Sequence, residues 1–214
     1  MARMSYAKEL TKIAADCGAN AIKWQLFKND IKEKSLHPEK YPNIELPREW
    51  FPELVAYGKE LGLEVFASTF DDEALILVSK YCESIKFSYG FNKDHAIKYL
   101  AWPIENKPFK NIYISGDLMT NFPNDRTILR LYCIPQYPVP FIIDFTSLFP
   151  PFIGFSDHTM GYGQTLQAVR QGALIIEKHF TLDKSDITCP DHNFALRPKQ
   201  VEYMIKEIKN ICVY

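Results

Sequence analysis

The sequence predicts a parallel α/β protein, with seven visible strands of a (β/α)8 barrel, and three observations carry that reading. Short apolar runs alternate with amphipathic helical stretches almost throughout the 214 residues, the pattern of repeated βα units. The runs end in polar or charged residues, and the C-terminal ends of strands are where barrel chemistry collects. No linker or low-complexity segment interrupts the alternation, so residues 1–214 read as a single domain with one core.

The first helix spans about Tyr6 to Cys17 and ends at Gly18, and the strand Ala21 to Phe27 follows. A helix over about Trp50 to Leu61 precedes the strand Glu64 to Ser68. The next helix opens at Asp71-Asp72-Glu73, whose carboxylates suit the positive end of a helix dipole, and leads to the strand Ser84 to Ser88. Lys93 to Trp102 is expected to be helical, and Asn111 to Ser115 is the fourth strand. Between Ser115 and the strand Leu129 to Cys133 there is room only for a stub of helix. Pro135 to Pro151, rich in proline and aromatic residues, holds no helix. Alternation resumes with the strand Phe152 to Ser156, the helix Gln164 to Gln171, the strand Leu174 to Lys178 and a last amphipathic helix, Pro198 to Ile211.

The chain thus opens on a helix, and an eight-stranded barrel needs one more strand, whose natural place is ahead of Tyr6. The expected fold is a TIM-type barrel lacking its first strand and with thinned helices in the middle. An open sheet is the structural alternative. A barrel short of one strand exposes two edges of unpaired backbone groups.

Composition narrows the partners. With 47% hydrophobic and 24% charged residues, this is an ordinary globular chain. A formal net charge of -1 gives no field that would recruit nucleic acid or a membrane surface. The lysines are spread out, without a basic block or interleaved aromatics. The opening MARMSYAKEL lacks the apolar core of a signal, and no apolar run reaches spanning length. The five cysteines (Cys17, Cys82, Cys133, Cys189 and Cys212) are odd in number, far apart and without a CxxC pair, which fits reduced thiols and a cytoplasmic protein.

Two apolar runs near the end carry metal-competent groups: Ile153 to Thr159 contains Asp157 and His158, and Ile175 to Thr181 contains Glu177 and His179. Strands joined by one helix place both imidazoles on one rim of a parallel sheet. There they can hold a divalent metal with open positions, or they can be two hydrogen-bonded histidines at a sheet edge. Lys23 and Gln25 lie on the first visible strand, Lys86 and Ser88 on the third, and Ser68, Thr69 and Ser115 at strand ends. A lysine in a buried strand is costly unless paired. Two of them facing several hydroxyls suggest a site for a phosphate or carboxylate.

These segments together resemble the sialic acid synthases, which condense phosphoenolpyruvate with an N-acetylated sugar. GANAIKWQLFK resembles the strand carrying Lys-x-Gln, LGLEVFASTFDDEA the Ser-Thr-Pro-Phe-Asp segment, and GFSDHTMGYG with ALIIEKHFTLDK and CPDHNFALRP the family's most specific signatures. IKFSYGFN, NIYISGDLMT and LYCIPQYPVP match successive strand ends more loosely, and the similarity runs from about Tyr6 to Ile211.

The resemblance implies His158 and His179 as ligands of manganese or magnesium. Lys23, Thr69, Lys86, Ser115 and Ser156 would bind phosphoenolpyruvate, and Gln25, Tyr137 and Asp191 the amino-sugar. Glu177, Lys23 and Gln25 would form the catalytic set, with Glu177 beside the reacting carbons. Asp157 is counted with the substrate-binding residues and is expected to orient an imidazole. The family's serine three positions after Lys86 is Tyr89 here, with Ser88 adjacent and able to replace it. Asp117 and Pro135 also depart from the pattern, and neither the family's first strand nor its C-terminal antifreeze-like domain has a counterpart. N-acetylmannosamine is the expected sugar, a precursor of the legionaminic or pseudaminic acid type is the variant, and a homodimer is the assembly to test. The departures motivate a different alternative: a degenerate, non-catalytic barrel that binds metal or an anionic ligand.

Overall fold

The computed structural model describes residues 3–28, 45–89, 109–122, 124, 126–182 and 191–212. The helix expected over Lys93 to Trp102 lies outside the described residues, as does Cys189. Seven strands form one sheet: β1 Ala21–Leu26, β2 Glu64–Thr69, β3 Ser84–Phe87, β4 Asn111–Gly116, β5 Ile128–Cys133, β6 Gly154–Asp157 and β7 Ile175–Lys178. Their spatial order is their chain order, and every neighbouring pair is parallel. Five helices accompany them among the described residues: α1 Met4–Asp16, α2 Phe51–Glu60, α3 Asp72–Tyr81, α4 Gly163–Arg170 and α5 Pro198–Ile211.

The helices form where the apolar spacing is helical. α2 buries Phe51, Leu54, Val55 and Gly58, a single stripe at helical spacing. Its proline in the first turn lacks only an N–H that would have no partner there. α3 starts as the acidic triplet requires, because Asp71 is its N-cap and accepts a hydrogen bond from the Ala74 amide at 2.9 Å. Gly18 follows α1 at φ +84°, a left-handed turn that glycine adopts without strain. Between β4 and β5 the expected stub is absent among the described residues. Asp117 instead closes a turn by accepting from the amide of Met119 and the hydroxyl of Thr120.

The sheet register separates two faces. Alternate residues Lys23, Gln25, Ser68, Lys86, Ser115, Cys133, Ser156 and Glu177 share the concave face, while Ile22, Val65, Ala67, Ile85, Ile112, Ile114 and Phe155 point the other way. The convex set forms the core with the helices. Phe51, Leu54, Ala67, Ile85 and Phe155 are fully buried, each large apolar side chain contributing roughly 1.5–3 kcal/mol. A second apolar cluster joins Phe145, Leu148 and Phe155 with Ala168 of α4, so the proline- and aromatic-rich connection covers β6 together with that helix. Gly154 is required where β6 meets β7, since a Cβ there would run into the Ile175 carbonyl oxygen.

The sheet curls until its ends face each other. Glu177 on β7 lies 4.0 Å from Lys23 on β1 and 3.5 Å from Lys86 on β3. Among the described residues no ladder joins β7 to β1. α5 runs from its packing against α4 to the end of α1, where the Cys17 thiol donates to the Pro198 carbonyl at 3.4 Å.

Behind the sheet, Asp157 is the centre of a buried polar knot. Its carboxylate accepts from the Thr159 amide and hydroxyl, both at 2.7 Å, and from the Thr165 hydroxyl at 2.5 Å. Lys178 stands 3.1 Å away and donates to the Thr159 carbonyl at 2.6 Å. Both charges are removed from solvent, so deleting one strands the other. Asp157→Ala is expected to cost about 3–5 kcal/mol, measured by urea unfolding, with Asp157→Asn costing less. Equal stability of wild type and Asp157→Ala would show that the knot holds nothing together.

Candidate functional site

The concave face gathers charge at its C-terminal end. Lys86 is 2% exposed, and its ammonium donates to the Ser115 hydroxyl at 2.6 Å. Lys23 donates to Ser68 at 3.2 Å. The Glu177 carboxylate stands between the two ammonium groups and accepts from the Ser156 hydroxyl at 2.9 Å. Burial alone would raise the Glu177 carboxyl, but Lys23, Lys86 and His179 hold it well below the usual carboxylate range. Burial pulls the Lys86 ammonium down, against the attraction of Glu177. Two ammonium groups against one carboxylate leave the basin suited to an anion.

The imidazoles stand beside this basin. The ring centres of His158 and His179 are 5.5 Å apart, and Phe194 packs edge-on against both, at 5.7 and 5.3 Å. Tyr137 lies 4.4 Å from the His158 ring, and the Cys133 sulfur is 3.8 Å from its Nδ1. Burial pushes His158 down to about 3, with His179 adding to the effect, and burial also lowers His179. Both rings are therefore neutral near neutral pH, the form that ligates metal.

The donor set accommodates an ion with open positions. Two imidazoles on one ion, with metal–nitrogen distances of about 2.1 Å, hold their ring centres roughly 4.5–5.5 Å apart, and the observed spacing meets that range. Among the described residues no group of three or more histidine, cysteine or acidic side chains is arranged to hold a metal. An ion held here would keep most of its positions for water and substrate.

Of the residues singled out from sequence, Lys23, Lys86, Ser115, Ser156, Glu177, His158 and His179 come together, each through the contacts above. Gln25 and Asp191 join them: Gln25 donates to Asp191 at 3.3 Å, and Asp191 lies 3.3 Å from Nδ1 of His179. Tyr137 is 55% exposed at the rim, with its ring on His158. Thr69 closes β2 with its hydroxyl buried and without a hydrogen-bond partner, an atom that a ligand or water would satisfy. Ser88 is half-buried just past β3. Asp157 does not join the group. It sits on the convex face of β6 and spends its carboxylate on Thr159, Thr165 and Lys178. The carboxylate that meets an imidazole is that of Asp191.

Sequence reasoning missed Cys133 and Phe194. Cys133 is opposite Ser156 in the register, so the period of two along β5 carried the signal. Phe194 lies in an irregular segment and offers no such pattern. Tyr89 and Asp117, two departures from the resembled pattern, prove to be partners, with the phenol donating to the carboxylate at 2.6 Å. That bond pushes the phenol up to about 12.

Comparison with known proteins places the chain in a family. The NeuB family model matches residues 10–214. An uncharacterised protein of Methanocaldococcus jannaschii is 30% identical over 94% of this chain and 65% of its own length. The N,N'-diacetyllegionaminic acid synthase of Campylobacter jejuni is 28% identical over 97% of this chain and 72% of its own length. The chain thus spans about two thirds of these curated relatives. Among solved structures, an N-acetylneuraminic acid synthetase of Leptospira borgpetersenii superposes with a TM-score of 0.79 at 22% identity, over 97% of this chain and 78% of that one. That likeness is one of fold, an α/β TIM-like barrel. With the family model matched over nearly its whole length, the chain belongs to the NeuB family.

Proposed function

We propose that this chain catalyses the condensation of phosphoenolpyruvate with an N-acetylated amino-sugar, giving a nonulosonic acid and phosphate. The observation that carries the reading is one shared face: Lys23, Lys86 and Ser115 around Glu177, beside the His158–His179 pair. N-acetylmannosamine is the first candidate sugar, and precursors of legionaminic or pseudaminic acid are the variants. The reading includes a homodimeric, cytoplasmic enzyme; no helix among the described residues is long and apolar enough to cross a membrane. A strand seated between β7 and β1 would complete its (β/α)8 barrel.

Manganese or magnesium at His158 and His179 would supply Lewis acidity to the open-chain aldehyde of the sugar. The residues of the chain do the rest. Lys23, Lys86, Ser115 and Ser156 hold the phosphate and carboxylate of the enol phosphate, and the free hydroxyl of Thr69 offers one more donor. Held there, the enol C3 forms the new bond to the aldehyde carbon. The C=O π bond opens, its oxygen takes up a proton that the water adding at C2 replaces, and positive charge develops at C2. Glu177, kept ionised by its two lysines, steadies that charge or takes a proton from the water that adds at C2. Phosphate then leaves by C–O cleavage. Gln25, Tyr137 and Asp191 line the side where the sugar would lie. Asp157 has no part in this reading and serves the fold.

A second reading, a degenerate barrel that binds metal or an anionic ligand without turnover, is favoured by the Tyr89–Asp117 pair, which sets a carboxylate where the resembled pattern has none. A turnover assay separates the two. Phosphate release is expected only when phosphoenolpyruvate, N-acetylmannosamine or a related sugar, and manganese are all present. Lys86→Met is expected to lower it about 100–1,000-fold, as removal of one stabilising donor does. No sugar-dependent release from folded, manganese-loaded protein, with Lys86-dependent phosphoenolpyruvate binding retained in calorimetry, would establish the second reading instead.

The metal assignment has its own test. Manganese titration followed by electron paramagnetic resonance is expected to show one site, weakened by well over 10-fold in His158→Ala and in His179→Ala, because each removes half of the protein's donors. Unchanged affinity in His179→Ala would end the metal reading.

A further inference from the structure

We propose that Asp191 is a positioning residue for His179, held in place by Gln25 from across the sheet. The inference rests on the metal reading above. Nδ1 of His179 lies 3.3 Å from Asp191 Oδ2, and the same oxygen accepts from Gln25 Nε2 at 3.3 Å. A proton on Nδ1 donated to that carboxylate leaves Nε2 as the lone-pair nitrogen of a neutral ring. Phe194 fixes the plane of the ring, its centroid 5.3 Å away and the two planes 75° apart. A carboxylate behind one ring nitrogen makes the other a better and better-aimed ligand.

The three residues also bridge β1 and β7, which no ladder joins among the described residues. Gln25 is on β1, His179 follows β7 directly, and these are the two end strands. The chain from Gln25 through Asp191 to His179 therefore ties the position of a ligand nitrogen to the approach of β1 and β7. A loose seam moves Gln25, frees Asp191 and releases the ring. This assigns Gln25 and Asp191 a task in the substrate-free protein, separate from any contact with the sugar.

The test uses the full chain with 15N-labelled histidine, first without metal. Long-range nitrogen–proton spectra of the wild type are expected to show His179 as the Nδ1–H tautomer. In Asp191→Ala the ring is expected to move to the Nε2–H form or a mixture. In Asp191→Asn, whose carboxamide oxygen still accepts, it is expected to keep the wild-type form. Manganese affinity should fall about 10–100-fold in Asp191→Ala and stay within a few-fold of wild type in Asp191→Asn. Gln25→Ala should give a smaller loss in the same direction. An Nε2–H tautomer in the wild type would overturn the proposal without any variant, which keeps it testable if Asp191→Ala fails to fold. A tautomer indifferent to Asp191, or one that shifts with no loss of manganese affinity, would overturn it as well. Wild-type protein that binds no manganese would overturn both this proposal and the metal reading, whereas manganese binding that ignores Asp191 would overturn this proposal alone.

Discussion

Glu177 is the charge around which the site is arranged. Its carboxylate stands between two ammonium groups on the inner face of a curled sheet, one of them almost completely removed from water. Without it, Lys23 and Lys86 would be like charges facing a low-dielectric wall, an arrangement that costs several kcal/mol. With it, each lysine keeps a partner and a hydroxyl, and the set retains one net positive charge. The same carboxylate holds β7 to both β1 and β3, so the electrostatics of the basin and the curvature of the sheet have a common origin. Neither can be altered alone.

The two faces of β6 and β7 show how a period of two divides labour. Ser156, His158, Glu177 and His179 serve the basin, whereas Asp157 and Lys178, their immediate neighbours in sequence, form an ion pair on the other side. The pair behind the sheet is closed and rigid, with every oxygen of Asp157 engaged by a donor. The groups in front include two neutral imidazoles whose ring centres stand 5.5 Å apart. Stability and unsatisfied bonding capacity are thus segregated one residue apart. A strand does this without any special device, because successive side chains point to opposite faces.

Much of this was legible in the sequence, and the failures have physical causes. The strands were legible because buried parallel strands read as apolar runs, and the helices because their apolar stripes are helical; α5 has the bounds expected of it. Lys23 and Lys86 were legible as charges in places where a charge needs a partner. Asp157 misleads because adjacency to His158 in sequence is not adjacency in space: the pleat puts the two on opposite faces. Cys133 was silent because a buried cysteine is ordinary core material and only the register with Ser156 distinguishes it. The contact of Asp191 with Gln25 joins residues 166 positions apart, and no local pattern encodes such a distance. Tyr89 and Asp117 looked like two separate losses, and only their hydrogen bond makes them a single change.

Among the described residues no ladder closes β7 onto β1, and this has a thermodynamic consequence. Elsewhere the wall is held by backbone bonds that no ligand competes for. Here Lys23–Glu177 and Gln25–Asp191 do that work, and the proposed occupants of the basin would engage the same atoms. An anion that takes Lys23 takes it from Glu177, and a sugar hydroxyl that takes Asp191 takes it from Gln25. Part of the intrinsic affinity is then spent undoing contacts of the empty protein, so observed binding is weaker than the contacts in the complex would suggest. Ligand occupancy and wall closure are in this sense competing claims on four side chains, and the fold has set the sheet's softest boundary where its chemistry is concentrated.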